Sequence, residues 1–121
     1  MKGTDHYAEL LGIKVLEIKD GYCKVQMKIE KQHTNAMGCT HGGAIFSLAD
    51  YAFAEACNFG DNIAVGIQVD IKYLRPTAEG NILTAEAKRI SEGKTTGVYQ
   101  VSVYKEENKL TALFSAIAFK K

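Results

Sequence analysis

The sequence has 121 residues, of which 46% are hydrophobic and 24% are charged, with a single proline. That size and apolar content are typical of one domain, here residues 1–121, with a substantial buried core. The net charge of +1 argues against general nucleic-acid binding and leaves no polybasic patch for a membrane surface. The longest apolar stretch, residues 44–57, is interrupted by charged residues and cannot span a bilayer.

The N-terminal residues and the cysteines indicate the cellular compartment. The first six residues lack the apolar core of a signal peptide. The three cysteines are an odd number and form no CxxC pattern, so a disulfide framework is not expected. We therefore expect a cytoplasmic protein.

The first predicted elements are a short helix and a β-hairpin. Residues 4–11 are amphipathic and favour a helix, with Thr4 or Asp5 as its N-cap. From residue 13 onward apolar and polar residues alternate, which predicts strands over 13–18 and 23–29. The Asp-Gly pair between these strands favours a tight hairpin turn.

A polar loop and the longest predicted helix follow. Residues 30–40 are polar and irregular, and we expect a loop there. The helix is predicted over residues 43–58, with Gly60 as its stop signal. Its apolar residues recur at helical spacing, so one face is expected to pack on a sheet.

The start of this helix carries the residues that most suggest chemistry. Gly42 and Gly43 open it, and a lone carboxylate, Asp50, lies two turns inside. Helix N-termini present unpaired N–H groups and the positive end of the macrodipole, so they stabilise negative charge. Glycine lets a ligand approach the backbone closely because it has no Cβ. A nearby acid could then act on the group that these N–H groups polarise.

The rest of the chain consists of strands separated by polar turns. One long helix against about five antiparallel strands is an α+β architecture. Residues 112–119 are apolar on both faces, which predicts a central strand or an interface. The uncovered second face of such a sheet also favours a homo-oligomer. The strands of this region are predicted over 65–73, 81–90, 95–105 and 109–119.

Several motifs occur together at a characteristic spacing between about residue 25 and the C-terminus. They are the segment His41-Gly42-Gly43, Asn35 six residues before it, Asp50 nine residues after His41, and the segments 73–76 and 93–99. In this order of elements they resemble the phenylacetate-pathway (PaaI-type) thioesterases, which have the hotdog fold. The resemblance implies a long central helix packed against a curved antiparallel sheet.

The same resemblance implies an activity and a set of site residues. The family hydrolyses acyl-coenzyme A (acyl-CoA) thioesters without a cofactor, in dimers that usually pair into tetramers. By resemblance, the Gly42 N–H, helped by Gly43, polarises the thioester carbonyl. Asp50 is then the general base or the nucleophile, and Asn35 of the facing subunit helps to place the water. Aryl-acetyl groups are one acyl class that the resemblance suggests.

One position departs from the family pattern. Some relatives carry a serine at or near the position that aligns with Gly66, where the hydroxyl supports the acid. Glycine has no side chain for this role, so Gln68 or a water molecule would have to substitute.

Basic and aromatic residues supply candidates for contacts with the substrate. Arg75 and Lys94 lie in the two resembling segments and are the first candidates for the phosphates of CoA, with Thr95 beside Lys94. Phe46 and Phe53 are candidates for lining an acyl or aryl pocket, although aromatic residues at such positions commonly belong to the core.

The histidines have both catalytic and structural interpretations. His41 is a candidate general base because imidazole titrates near neutrality. The alternative, in which it holds the loop before the helix, is favoured because no obvious nucleophile accompanies it. Cys39, His41 and His33 fit no standard zinc spacing, so no metal site is expected.

Two other functions stay open from the residues alone. A hotdog dehydratase or hydratase pairs a histidine with an acid, but this sequence has no His-Phe-Pro segment of that type. A non-catalytic acyl-CoA-binding module would use the same pocket. An Asp50→Asn variant separates binding from catalysis, because a binding module has no turnover to lose.

Overall fold

The computed structural model describes residues 2–121, in which one long helix lies across an antiparallel sheet of six strands. The elements are α1 His6–Leu11, β1 Lys14–Lys19, β2 Tyr22–Lys28, α2 Gly42–Cys57, β3 Ala64–Tyr73, β4 Ile82–Glu92, β5 Thr96–Lys105 and β6 Lys109–Lys120. The strand order is β1-β2-β4-β5-β6-β3, so β1 and β3 form the two edges. The predicted α+β arrangement is confirmed, with one strand more than the expected count of about five. None of the helices in this part of the chain has the length and apolar character of a membrane span.

The helix α2 packs on the sheet mainly through small side chains. Ala49, Ala52 and Ala56 have no exposed surface. Because alanine projects little beyond the backbone, these residues let the helix lie close to the strands. The Phe53 ring adds contacts with the rings of Tyr99 and Phe114, at centroid distances of 5.4 and 6.1 Å. Together these contacts fix the position and rotation of α2, and with them the direction of its other side chains.

Strand β6 lies inside the sheet, between β5 and β3. Its residues alternate between buried and partly buried positions, so the prediction of a central strand is confirmed. Strand β3, by contrast, is an edge strand of ten residues that exposes the apolar side chains of Val65 and Ile67. A long edge with exposed apolar residues is typical of a surface that another strand covers.

The helix boundaries follow from their caps. Helix α2 begins at Gly42, one residue earlier than predicted, because the His41 side chain accepts a hydrogen bond from the first turn. Its C-cap is Asn58 and not the later glycine. The N-cap of α1 is Asp5, whose Oδ1 accepts the Ala8 N–H at 2.9 Å. Of the two N-caps expected from the sequence, the second is therefore confirmed.

The Asn58 side chain is expected to contribute measurably to stability. Its Nδ2 donates to the Ala54 carbonyl at 2.8 Å and its Oδ1 accepts the Ala64 N–H at 2.9 Å, which joins the end of α2 to β3. Asn58→Ala leaves the Ala64 N–H without its partner, while the Ala54 carbonyl keeps the backbone N–H of residue 58. The variant should lower the free energy of unfolding by about 1–3 kcal/mol. Urea unfolding followed by circular dichroism measures the change. The control is Asn62→Ala, which removes one exposed hydrogen bond and should change the free energy of unfolding by no more than about 0.5 kcal/mol. Equal losses of stability in the two variants would contradict the prediction.

Candidate active site

The first turn of α2 holds one free backbone donor. The Nδ1 atom of His41 accepts the Gly43 N–H at 2.8 Å, so this N–H is already used within the chain. The Gly42 N–H has no hydrogen-bond acceptor among residues 2–121. It therefore remains available at the positive end of the helix dipole, where it can bind a developing negative charge.

The Tyr73 side chain borders this first turn from the end of β3. Its hydroxyl donates to the Gly42 carbonyl at 2.9 Å. A Cβ at position 42 would lie only 3.2 Å from the Tyr73 ring, so glycine permits this close approach. Gly42, Tyr73 and Arg75 line one open cavity of about 330 Å³ together with the loop before the helix. The exposed side chain of Arg75 thus lines the same cavity as Gly42, whose N–H is free.

Asn35 lies in the loop that precedes α2. Its Oδ1 accepts the N–H groups of Met37 and Cys39 at 3.0 and 3.1 Å, which is an Asx-type turn. Its own N–H donates to the Cys39 carbonyl at 2.8 Å. The Nδ2 amide has no acceptor among the described residues, so one end of the side chain fixes the loop and the other end can donate to a ligand.

Asp50 lies half-buried in the middle of α2, at the side of a second cavity of about 220 Å³. Burial raises the pKa of its carboxyl above the ordinary value, and the negative charge of Asp5 raises the pKa further. A carboxylate with a raised pKa is a stronger base at neutral pH. Phe46 lines the same cavity, with its ring 5.5 Å from that of Phe114.

The two candidate groups of α2, the Gly42 N–H and the Asp50 carboxylate, do not meet within one chain. Gly42 and Asp50 are eight residues apart, which separates them by about 12 Å along the helix axis. They line different cavities. One carbonyl group cannot contact both when they belong to the same copy of the helix.

The histidines near the site have structural partners. His41 caps α2 through Nδ1 and is otherwise exposed. His33 is buried, and its Nδ1 accepts the Glu30 N–H while Nε2 donates to the Leu11 carbonyl. Within residues 2–121 no group of three or more His, Cys, Asp or Glu side chains converges as metal ligands do.

The neighbourhood of Gly66 explains why this position lacks a side chain. A Cβ there would lie 3.0 Å from Phe53 Cε2, and Phe53 is itself only 2% exposed. A serine would therefore require the Phe53 ring to move. Because Phe53 is enclosed in the core, it does not present a surface to a ligand in this chain. Gln68 precedes Val69, which packs against the core, so alternation puts Gln68 on the other face of β3, away from Asp50.

Lys94 and Thr95 lie at the other end of the sheet from Gly42. They form the exposed turn between β4 and β5, where the Thr95 carbonyl accepts the Lys120 N–H. Arg75 follows the opposite end of β3. The two expected CoA contacts, Arg75 and Lys94, are therefore not brought together within one chain.

Two features of the site have no clear signal in the sequence. Asp5 and Tyr7, at the N-terminal helix, line the cavity beside Asp50 although they are more than forty positions away along the chain. The hydrogen bond from Tyr73 to Gly42 likewise depends on how β3 crosses the helix start. Only the tertiary packing of α1 and β3 on α2 creates these contacts.

Comparisons with known proteins show which family the chain belongs to. The sequence model of the thioesterase superfamily matches residues 37–112. A putative esterase of Archaeoglobus fulgidus is 43% identical over 120 residues, which cover 99% of this chain and 78% of that protein. The acyl-coenzyme A thioesterase PaaI of Escherichia coli is 40% identical over 114 residues, which cover 94% of this chain and 81% of that protein.

The solved structure of the E. coli PaaI protein is also similar. It superposes with a TM-score of 0.93 at 38% identity, over 97% of this chain and 85% of that one. The expected hotdog fold and the resemblance to PaaI-type enzymes are thereby confirmed. The chain belongs to the thioesterase superfamily, in its PaaI-type family.

Proposed function

We propose that this thioesterase hydrolyses acyl-CoA thioesters to the free acid and CoA, with Gly42 and Asp50 as the central groups of the site. The observation that carries the proposal is the combination, on one helix, of a backbone N–H without an acceptor and a half-buried carboxylate whose pKa is raised. The E. coli relative named an acyl-coenzyme A thioesterase supports CoA as the thiol.

The proposed reaction uses water and one base. Asp50 removes a proton from water, the water oxygen bonds to the carbonyl carbon, and the carbonyl oxygen becomes an oxyanion that accepts the Gly42 N–H. When the carbonyl reforms, the C–S bond breaks and CoA leaves as a thiolate, which takes up the proton. The free Nδ2 amide of Asn35 is suited to orient the water or the oxyanion. Direct attack by Asp50, followed by hydrolysis of the resulting anhydride, gives the same products.

The proposed site is shared between two copies of the chain. The separation of about 12 Å between Gly42 and Asp50 along α2 excludes joint action within one copy. An antiparallel pairing of two β3 edges around a two-fold axis would set two copies of α2 side by side in opposite directions. The N-terminus of one α2 would then approach the middle of the other, which brings Gly42 of one copy toward Asp50 of its partner.

The same pairing supports the expected contacts with CoA. Arg75 follows the end of β3, and Lys94 lies near the level at which β3 begins. Antiparallel pairing of two β3 strands would set the beginning of one beside the end of the other. Arg75 of one copy and the Lys94-Thr95 turn of the second copy would then border one CoA-binding groove.

The shared site predicts complementation between two inactive variants. Asp50→Asn and Gly42→Pro each remove one half of the site, so each homodimer should be inactive. A mixed dimer would contain one site with both halves intact, and random mixing should restore about a quarter of the wild-type activity. The measurement is release of free CoA after the two chains are co-expressed. No activity in a preparation shown by mass spectrometry to contain mixed dimers would contradict the shared site.

The function itself is tested with a panel of acyl-CoA substrates. Release of the CoA thiol from acetyl-, hexanoyl-, palmitoyl-, benzoyl- and phenylacetyl-CoA is followed with wild type and with Asp50→Asn. Hydrolysis that is lost in the variant supports the thioesterase proposal, and the preferred acyl group defines the substrate class. Binding without turnover across the panel would favour the acyl-CoA-binding module, and water addition to an enoyl-CoA would favour the hydratase.

The assembly and location belong to the same proposal. The exposed apolar edge of β3 supports a homodimer, and pairing of dimers into a tetramer would cover the outer face of the sheet. A cytoplasmic location is supported by three free cysteines, of which Cys23 and Cys57 are buried.

A further inference from the structure

Helix α1 brings a second carboxylate to the cavity beside Asp50. Asp5, the N-cap of α1, lines this cavity together with Asp50. Its Oδ1 is fixed by the Ala8 N–H at 2.9 Å, so the position of the carboxylate is set by the helix that it caps. Its charge acts on Asp50, since it is one of the causes that raise the pKa of the Asp50 carboxyl.

The rest of the cavity wall is uncharged. It consists of four apolar side chains and three side chains with hydroxyl groups, namely Ala8, Ile13, Phe46 and Ala54, and Tyr7, Ser47 and Tyr51. No lysine, arginine or histidine is among the residues that line it. An acyl chain that ends in a carboxylate would enter a partly desolvated space between two like charges, and no cationic side chain among the residues that line it offsets the repulsion. A neutral acyl chain carries no charge for the two carboxylates to repel, and it can pack against the apolar part of the wall.

The cavity is also of a suitable size for a small acyl group. Its volume is about 220 Å³. An apolar protein cavity of roughly 150 Å³ accepts a benzene molecule. A six-carbon chain or an aryl-acetyl group is therefore compatible with the space beside Asp50.

We propose that Asp5 is a specificity-determining residue, which excludes acyl groups with a terminal carboxylate from the cavity beside Asp50. The inference rests on the proposed function, because it takes this cavity as the place of the acyl group. It adds a selection against dicarboxylic acyl-CoA thioesters.

The test compares two substrates of equal chain length that differ by one carboxylate, hexanoyl-CoA and adipoyl-CoA. The ratio of their kcat/KM values is measured for wild type and for Asp5→Asn. Asparagine is as good an N-cap as aspartate, so α1 should be retained. We expect wild type to favour hexanoyl-CoA strongly and Asp5→Asn to narrow the ratio by roughly tenfold, because one of the two like charges is gone. Added salt should also narrow the wild-type ratio.

The matched control is Glu9→Gln, which makes the same change of charge on α1. Glu9 does not line the Asp50 cavity, so the ratio should stay as in wild type. Equal hydrolysis of both substrates by wild type, or an unchanged ratio in Asp5→Asn, would overturn the proposal. If neither thioester is hydrolysed, the result contradicts the proposed function and leaves the inference on Asp5 to be decided by binding. In that case the dissociation constants of hexanoyl-CoA and adipoyl-CoA are measured by calorimetry for wild type and Asp5→Asn. A ratio of the two constants that narrows in Asp5→Asn supports the inference on Asp5, and an unchanged ratio overturns it.

Discussion

Asp50→Asn is expected to lower kcat for hydrolysis of an acyl-CoA thioester by about 10²- to 10⁴-fold, the usual contribution of a positioned general base. The asparagine amide has nearly the same shape, but it cannot accept a proton from water or attack the carbonyl carbon. The measurement is the rate of thiol release from hexanoyl-CoA at saturating concentration. In wild type, kcat/KM should also fall with decreasing pH through a pKa above 3.8, because burial and the charge of Asp5 favour the protonated form of Asp50. This pH dependence should be absent from the residual activity of the variant.

The control for this prediction is Glu55→Gln on the same helix. Burial raises the pKa of the Glu55 carboxyl as well, but Glu55 does not line the cavity beside Asp50. The variant should keep activity within about threefold of wild type, as is usual for a substitution outside the reacting groups. If Asp50→Asn folds as wild type does and retains its activity, Asp50 is not the base.

Gly42→Pro is the second substitution with a large expected effect. Proline has no N–H, so the variant loses the donor that is proposed to bind the oxyanion, and kcat should fall by about 10²- to 10³-fold. The backbone is already suited to proline. Gly42 is the first residue of α2, where proline is favoured, and His41 before it is extended, with φ −63° and ψ 134°. Circular dichroism should therefore show a folded protein with little loss of helix.

Gly42→Ala provides the matched comparison for this experiment. Alanine brings the same Cβ, 3.2 Å from the Tyr73 ring, but it keeps the N–H. The activity lost in Gly42→Ala measures the crowding against Tyr73, and the additional loss in Gly42→Pro measures the missing donor. Equal activity of the two variants would show that the Gly42 N–H takes no part in the reaction.

The elements were predictable from the sequence because their signals are local. Alternation of apolar and polar residues predicted the strands, and helical spacing predicted α2. The start of α2 was predicted one residue late, since the sequence does not show that the His41 side chain caps the helix. If α2 began at residue 43, proline at position 42 would strain the backbone before the helix. Because α2 begins at residue 42, proline there occupies the first helical position, which it favours.

The candidate site was predictable only in part. Motif spacing selected Gly42, Asp50 and Asn35, but it could not show that the Gly43 N–H is occupied by His41. The absence of a supporting serine at position 66 also has a tertiary cause, the Phe53 ring at 3.0 Å from the place of a Cβ. Such facts depend on how the helix packs on the sheet, which no local pattern encodes.

The three fully buried alanines of α2 link the sheet to the reactivity of the enzyme. Gly42 and Asp50 belong to the same helix, so the size of the buried side chains between α2 and the sheet determines the distance of both residues from the strands. A larger side chain at Ala49, Ala52 or Ala56 would move α2 away from the sheet and displace Gly42 and Asp50 with it. A displacement of a reacting group by about 1 Å can lower the rate about a hundredfold. The buried alanines thus set the position of the reacting groups, and a substitution there should lower the catalytic rate more than it lowers the stability of the fold.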